Sequence, residues 1–86
     1  MKKPEKPNYS NLKDRQYKSM IDNMEYFMTS ADDMEAVNSE EAYIKAFIRN
    51  LESFSMICPK EKEFFLNYLE GLKNEAIERI KAEGKR

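Results

Sequence analysis

Apolar residues recur at steps of one and three positions along the first third of the chain. These positions are Tyr17, Met20, Ile21, Met24, Phe27 and Met28. Such spacing brings side chains to one side of an α-helix, which completes a turn in about 3.6 residues. The pattern predicts a first helix that begins near Ser10, whose hydroxyl can cap free backbone N–H groups, and ends near Thr29. Its methionines are expected to fill gaps in the core.

A second helix is predicted over residues 39–57. Its stripe comprises Ile44, Phe47, Ile48, Leu51, Phe54, Ser55 and Cys58. Asn38 and Glu41 have the spacing of a capping box at the start of this helix. Pro59 is expected to end it, because proline disfavours helical backbone at the residue before it.

The segment between the first two helices contains a second, weaker helical signal. Ser30 is followed three positions later by Asp33, which is the spacing of a helix start. A short extra helical turn near residues 31–36 is therefore an alternative to a plain loop.

A third helix is predicted over residues 60–83, with Pro59 at its first position. Its main face comprises Phe65, Leu69, Leu72, Ala76 and Ile80. Phe64, Leu66 and Ile77 lie to either side of that face and widen the apolar arc beyond the roughly 100° that one layer of neighbours needs. Either this helix is central and contacts both others, or its outer side meets a second copy or another protein.

These elements predict an all-α fold, an antiparallel three-helix bundle, because no part of the chain alternates apolar and polar residues as a strand does. The expected organisation is a flexible basic tail at residues 1–8, a single helical domain at residues 9–84 and a C-terminal tail at residues 85–86. A chain of 86 residues buries only about 60% of its unfolded surface, so its core is thin. We therefore expect a dimer or a partner-bound state.

The composition excludes most catalytic chemistry. The chain has no His, one cysteine (Cys58) and two glycines, so it lacks a nucleophile–histidine pair, a zinc site and a glycine-rich phosphate loop. We expect no enzyme activity, no cofactor and no metal. The single cysteine favours a reducing, cytoplasmic location, and no apolar run is long enough to cross a membrane.

The net charge of −1 hides a separation of charge along the chain. Residues 1–20 contain six basic and two acidic residues, whereas residues 21–41 contain seven acidic residues and no basic one. The candidate docking carboxylates are Asp32, Asp33, Glu35, Glu40 and Glu41. They either satisfy helix N-termini, which favour negative charge, or attract a partner with a basic surface by mimicking nucleic-acid charge.

The leading functional hypothesis is a non-enzymatic interaction module that binds, and in one version inhibits or sequesters, a larger macromolecule. Its predicted contacts are Phe64, Leu66 and Ile77 on the outer side of the third helix, together with the acidic residues. Tyr26, Tyr43, Met56 and Ile57 lie off the helical stripes and weakly favour an interface, because tyrosine is enriched in binding hot spots.

Two alternatives remain at this point. The basic N-terminal region could bind DNA or RNA, although an isoelectric point near 5.5 is low for such a domain. The chain could also be a structural homodimer subunit.

Overall fold

Three helices account for most of residues 3–84, the part of the chain that the computed structural model describes. Helix α1 spans Asp14–Thr29, α2 spans Met34–Ser53 and α3 spans Pro59–Gly84. No strand occurs within residues 3–84. The predicted all-α class and the three main helices are therefore confirmed, and Pro59 opens α3 as expected. The predicted tail at residues 85–86 lies outside the described residues.

Helix α1 begins four residues later than predicted. The hydroxyl oxygen of Ser10 accepts a hydrogen bond from the backbone N–H of Leu12 at 3.1 Å, which closes a local turn instead of capping a helix. At the actual start, the side-chain oxygen of Gln16 accepts from the backbone N–H of Lys13 at 2.9 Å. The helix then opens with Asp14, whose carboxylate suits the positive end of the helix dipole.

Helix α2 begins five residues earlier than predicted and absorbs the extra turn considered at residues 31–36. The cap is Asp33, whose carboxylate accepts a hydrogen bond from the backbone N–H of Ala36 at 2.8 Å. The predicted capping box of Asn38 and Glu41 is wrong, because both residues lie inside the helix.

Helix α2 also ends earlier than predicted, at Ser53 rather than residue 57. The chain turns at Ser55, which has a φ of 59°, in the left-handed region. The backbone N–H of Met56 donates to the carbonyl of Leu51, and that of Ser55 donates to the carbonyl of Glu52, both at 2.9 Å. These are the two bonds of a Schellman motif, so the backbone turns away well before Pro59.

The core forms where the helical stripes meet. Its apolar members are Leu12, Tyr17, Met20, Ile21, Met24, Met28, Ala31, Val37, Ile44, Ile48, Ile57, Phe65, Tyr68, Leu69, Leu72 and Ala76. The methionines of α1 are core residues, as predicted. Ile57 was predicted to lie off the stripe of α2, but it is buried because it belongs to the segment after the helix, where helical spacing no longer applies.

Contacts between helices establish which ends lie together. Tyr17, near the start of α1, lies 6.0 Å from Phe65, near the start of α3, between ring centroids. Arg79, in the last turns of α3, donates to the carbonyl of Thr29 at 3.0 Å. For α2 and α3, Lys62 pairs with Glu52 at 3.2 Å. The start of α3 therefore lies beside the start of α1 and the end of α2.

Candidate interaction surface

The predicted contacts on the outer side of α3 are largely occupied within the chain. The ring of Phe64 lies 6.2 Å from that of Tyr17 and 5.8 Å from that of Phe65, measured between centroids. Phe64 and Leu66 are half-buried and pack against the core, and Ile77 is also half-buried. Helix α3 contacts both other helices, which accounts for much of its wide apolar arc.

Two of the five candidate carboxylates interact with other described residues, and the other three do not. Glu41 is half-buried and pairs with Lys73 at 3.0 Å and with Lys45 at 3.5 Å, so it holds α2 to α3. Asp33 is exposed but serves as the cap of α2. Asp32 and Glu35 are exposed, and Glu40 is half-buried.

The large apolar residues that are most exposed lie mainly on α2 and its C-terminal turn rather than on α3. The exposed fractions are 66% for Tyr26, 59% for Tyr43, 46% for Phe47, 78% for Phe54 and 42% for Met56. The sequence predicts an interface role for Tyr26, Tyr43 and Met56, because they lie off the helical stripes. It places Phe47 and Phe54 on the core-facing stripe of α2, so their exposure is a difference from the prediction.

Most of these side chains meet along the junction between α1 and α2. The ring of Phe27 lies edge-on to Tyr26 at 5.8 Å and to Tyr43 at 5.5 Å between centroids. A shallow cavity of about 60 Å³ lies next to these rings and is lined partly by Tyr43 and Phe47. We call the surface formed by Tyr26, Phe27, Tyr43, Phe47, Phe54 and Met56 the α1–α2 face.

A larger groove of about 320 Å³ continues the α1–α2 face toward the end of α2. Phe47, Leu51 and Met56 line it from the α2 side, and Arg15 and Asn23 line it from α1. Phe54, the C-cap residue just after α2, follows Phe47 by seven positions, two helical turns, and so continues the same side of the helix. The face therefore runs along most of α1 and along the second half of α2.

The helical geometry of α2 explains why this face exists. Val37, Ile44 and Ile48 are buried against the rest of the bundle. Tyr43 and Phe47 are four residues apart and form a second row beside the buried one. The apolar arc of α2 is thus wider than the surface that α1 and α3 cover.

The part of the basic tail that the structure describes contacts α1. The ammonium of Lys3 donates to the carboxylate of Asp22 at 2.7 Å, and this hydrogen bond raises the pKa of Lys3 and lowers that of Asp22. Lys6 pairs with Asp14 and donates to the carbonyl of Leu12 at 3.1 Å. Two lysines of the predicted nucleic-acid site are therefore already paired with carboxylates, while Lys2 lies outside the described residues.

Tyr17 anchors the same tail. Its hydroxyl donates to the carbonyl of Pro4 at 2.7 Å. Burial, followed by the negative charge of Glu61, raises the pKa of Tyr17 to about 12. Burial, followed by the charge of Glu25, also raises the pKa of Tyr68.

Glu61 is a fully buried carboxylate in the first turn of α3. Neither of its oxygens has a hydrogen-bond partner among residues 3–84. The nearby helix N-terminus favours a negative charge, but burial of an unpaired carboxylate costs stability.

The described residues bring together no group of side chains with evident chemistry. No cluster of three or more His, Cys, Asp or Glu side chains suited to a metal ion occurs within residues 3–84. Cys58 is half-buried, and the sequence supplies no histidine to activate it. No helix in the same range combines the length and apolar character needed to cross a bilayer.

Comparison with protein-family models, curated proteins and solved structures yields no match.

Proposed function

We propose that this protein is a non-enzymatic protein–protein interaction module and that it binds through the α1–α2 face. The observation that carries the proposal is the extent of exposed apolar surface there. The five most exposed residues of the face have side chains of about 200 Å² each. Their exposed fractions together correspond to roughly 600 Å² of surface. That equals the largest patches of ordinary monomers, about 300–600 Å², which are often functional.

The proposal takes the three helices as an antiparallel bundle. The contacts of Tyr17 with Phe65 and of Arg79 with Thr29 support a common direction for α1 and α3. The pairing of Lys62 with Glu52 supports the opposite direction for α2. In this arrangement the start of α1 and the end of α2 lie at one end of the α1–α2 face.

The exposed carboxylates would add steering to the apolar contact. Asp32, Glu35 and Glu40 form no ion pair with another described residue, so their charge remains available to a partner with basic groups. Such a contact would allow the protein to occupy, and so inhibit or sequester, the partner's own binding surface. The pairing of Lys3 and Lys6 with carboxylates gives less support to DNA or RNA binding. We place the protein in the cytoplasm, where a lone thiol such as Cys58 stays reduced.

Site-specific photo-crosslinking in cells of the source organism tests the proposal. A crosslinking amino acid replaces Phe47 in one variant and Asn74, an exposed residue of α3, in a matched control. We expect a covalent protein adduct from position 47 and none from position 74. If positions 43, 47 and 54 all give no adduct with any protein, this chain included, the proposed function is wrong.

A further inference from the structure

On the basis of the interaction function proposed above, we propose that the α1–α2 face binds a second copy of this chain, turned end over end. The two copies would form a symmetric dimer in which the basic end of each face meets the acidic end of the other. Three observations carry this assignment: the charges at the two ends of the face, their separation along it, and its area.

The two ends of the face have opposite charge. Arg15 lines the groove beside Leu51 and Met56, at the end of α2. Glu40 lies seven residues before Phe47, so it occupies the same side of α2 near the start of that helix. Asp32, in the loop before α2, adds negative charge at that end. Neither Arg15 nor Glu40 forms an ion pair with another described residue.

The two charges lie too far apart to neutralise each other within one chain. Leu51, which lines the same groove as Arg15, comes eleven positions after Glu40 along α2. A helix rises about 1.5 Å per residue, so the two ends are about 16 Å apart. Exposed charges at that distance are screened, since the Debye length is about 8–10 Å at ordinary ionic strength. A second copy rotated by half a turn can bring the basic end of one face onto the acidic end of the other.

The centre of the face suits such a symmetry axis. Met20, Asn23 and Phe47 line both the small cavity and the larger groove, so they lie between the charged ends. In a two-fold dimer, residues near the axis meet their own counterparts. Phe47 would therefore pack against Phe47 of the second copy, with an Arg15–Glu40 contact on each side.

The area of the face also fits a dimer. The roughly 600 Å² of exposed apolar side chain approaches the surface of about 800 Å² that each partner contributes to a standard interface. Polar groups at the rim, such as Arg15 and Asn23, can supply the remainder. Dimerisation would also enlarge the thin core of a short chain.

A charge-exchange experiment on the full chain tests this inference. The variants are Arg15→Glu and Glu40→Lys, with Arg49→Glu as the matched control, because Arg49 is exposed and lies about 200° around α2 from Phe47. Sedimentation equilibrium measures the mass and the dissociation constant. Circular dichroism establishes that each variant keeps the helical content of the wild type.

We expect the wild type to reach twice the 10.2 kDa mass of the chain as its concentration rises. Each of Arg15→Glu and Glu40→Lys should raise the dissociation constant at least about tenfold, because the like-charge contact occurs twice in a symmetric dimer. An equimolar mixture of the two variants should recover the wild-type constant, since each altered end then meets a complementary one. Arg49→Glu should behave as the wild type.

Two results would overturn the inference. One is a wild type that stays at 10.2 kDa up to its solubility limit. The other is a dimer that Arg15→Glu weakens no more than Arg49→Glu does, with no recovery on mixing. In either case, an adduct between position 47 and a different protein would leave the proposed interaction function standing. Loss of every adduct would remove both.

Discussion

Arg79 and Thr29 join the last turns of α3 and α1 through a hydrogen bond of 3.0 Å from the guanidinium to the backbone carbonyl. The same guanidinium also donates to the carbonyls of Met28 and Ala31. The last carbonyls of a helix lack partners within the helix, so one side chain here satisfies three acceptors where α1 ends. Arg79 thereby fixes the position of the loop that leads into α2.

Replacement of Arg79 by lysine should therefore destabilise the fold. A single ammonium cannot reproduce the planar fork that reaches several carbonyls, so we expect Arg79→Lys to lower the free energy of unfolding by about 1–2 kcal/mol. Urea denaturation measures the change. Lys81→Ala, at an exposed position of α3, is the control and should change stability by no more than about 0.5 kcal/mol. Equal effects of the two substitutions would contradict the role assigned to Arg79.

Ser55 offers a stabilising substitution. Its φ of 59° costs a non-glycine residue about 1–2 kcal/mol, whereas glycine adopts this conformation freely. Because glycine also makes the unfolded chain more flexible, we expect Ser55→Gly to raise the free energy of unfolding by about 1 kcal/mol. Thermal and urea denaturation provide the measurement.

The control is two residues earlier. Ser53 has helical backbone as the last residue of α2, so Ser53→Gly should lower stability by about 0.5–1 kcal/mol. Changes of the same sign at both positions would show that the turn at Ser55 is not strained.

Ser55 also marks where prediction from the sequence failed. The helical spacing of the apolar residues and the composition predicted three helices, the all-α class and most of the core. Residues that share one side of a helix are the ones it buries against its neighbours, so the core follows directly from that spacing. The end of α2 was missed because a left-handed turn is usually signalled by glycine, and this chain has serine there. The start of α2 was misjudged because Asp33 and Asn38 are both good capping residues, and the structure has Asp33 as the cap.

The candidate surface was predicted only in part, for a related reason. Spacing shows that Phe47 lies on an apolar side of α2, but the area that α1 covers depends on how closely the two helices approach. Tyr26 and Tyr43 could be singled out because they lie outside the stripes, whereas Phe47 lies within one. The half-buried state of Phe64 likewise depends on its contact with Tyr17, which the sequence does not reveal.

The raised pKa of Tyr17 predicts that the protein loses stability in alkaline solution. Its pKa is raised from 10.0 to about 12, so the folded state retains a phenolic proton that the unfolded state releases. Titration of Tyr17 therefore adds no pH dependence to stability below about pH 10, and its stabilising contribution is lost as the pH rises from 10 toward 12, by up to about 1.4 kcal/mol per pH unit. Ionisation also removes the hydrogen bond that Tyr17 donates to Pro4.

The comparison of Tyr17→Phe with the wild type isolates this effect. The variant should lose stability at neutral pH, because the tail contact to Pro4 is gone, but its stability should fall less steeply between pH 10 and pH 12. Tyr26→Phe is the matched control, since Tyr26 is largely exposed and should leave the wild-type slope unchanged. Urea denaturation at several pH values measures the slopes, and identical slopes for all three proteins would refute the assignment.

Glu61 should be a site where removal of a charge stabilises the protein. The side chain is fully buried, and both carboxylate oxygens lack hydrogen-bond partners among the described residues. Methionine has a similar length without the charge, so we expect Glu61→Met to raise the free energy of unfolding by about 2 kcal/mol. The same substitution removes one of the charges that raise the pKa of Tyr17, so spectrophotometric titration should show that this pKa falls.

The two measurements together separate the burial of Glu61 from a general effect of added apolar surface. Glu63→Met is the control, because Glu63 is exposed two residues later on α3 and should change stability by no more than about 0.5 kcal/mol. A loss of stability in Glu61→Met with an unchanged Tyr17 titration would mean that the carboxylate is solvated in solution. A gain together with a lower Tyr17 pKa would establish that the Glu61 carboxylate lies unpaired in the core at the start of α3 and that its burial lowers stability.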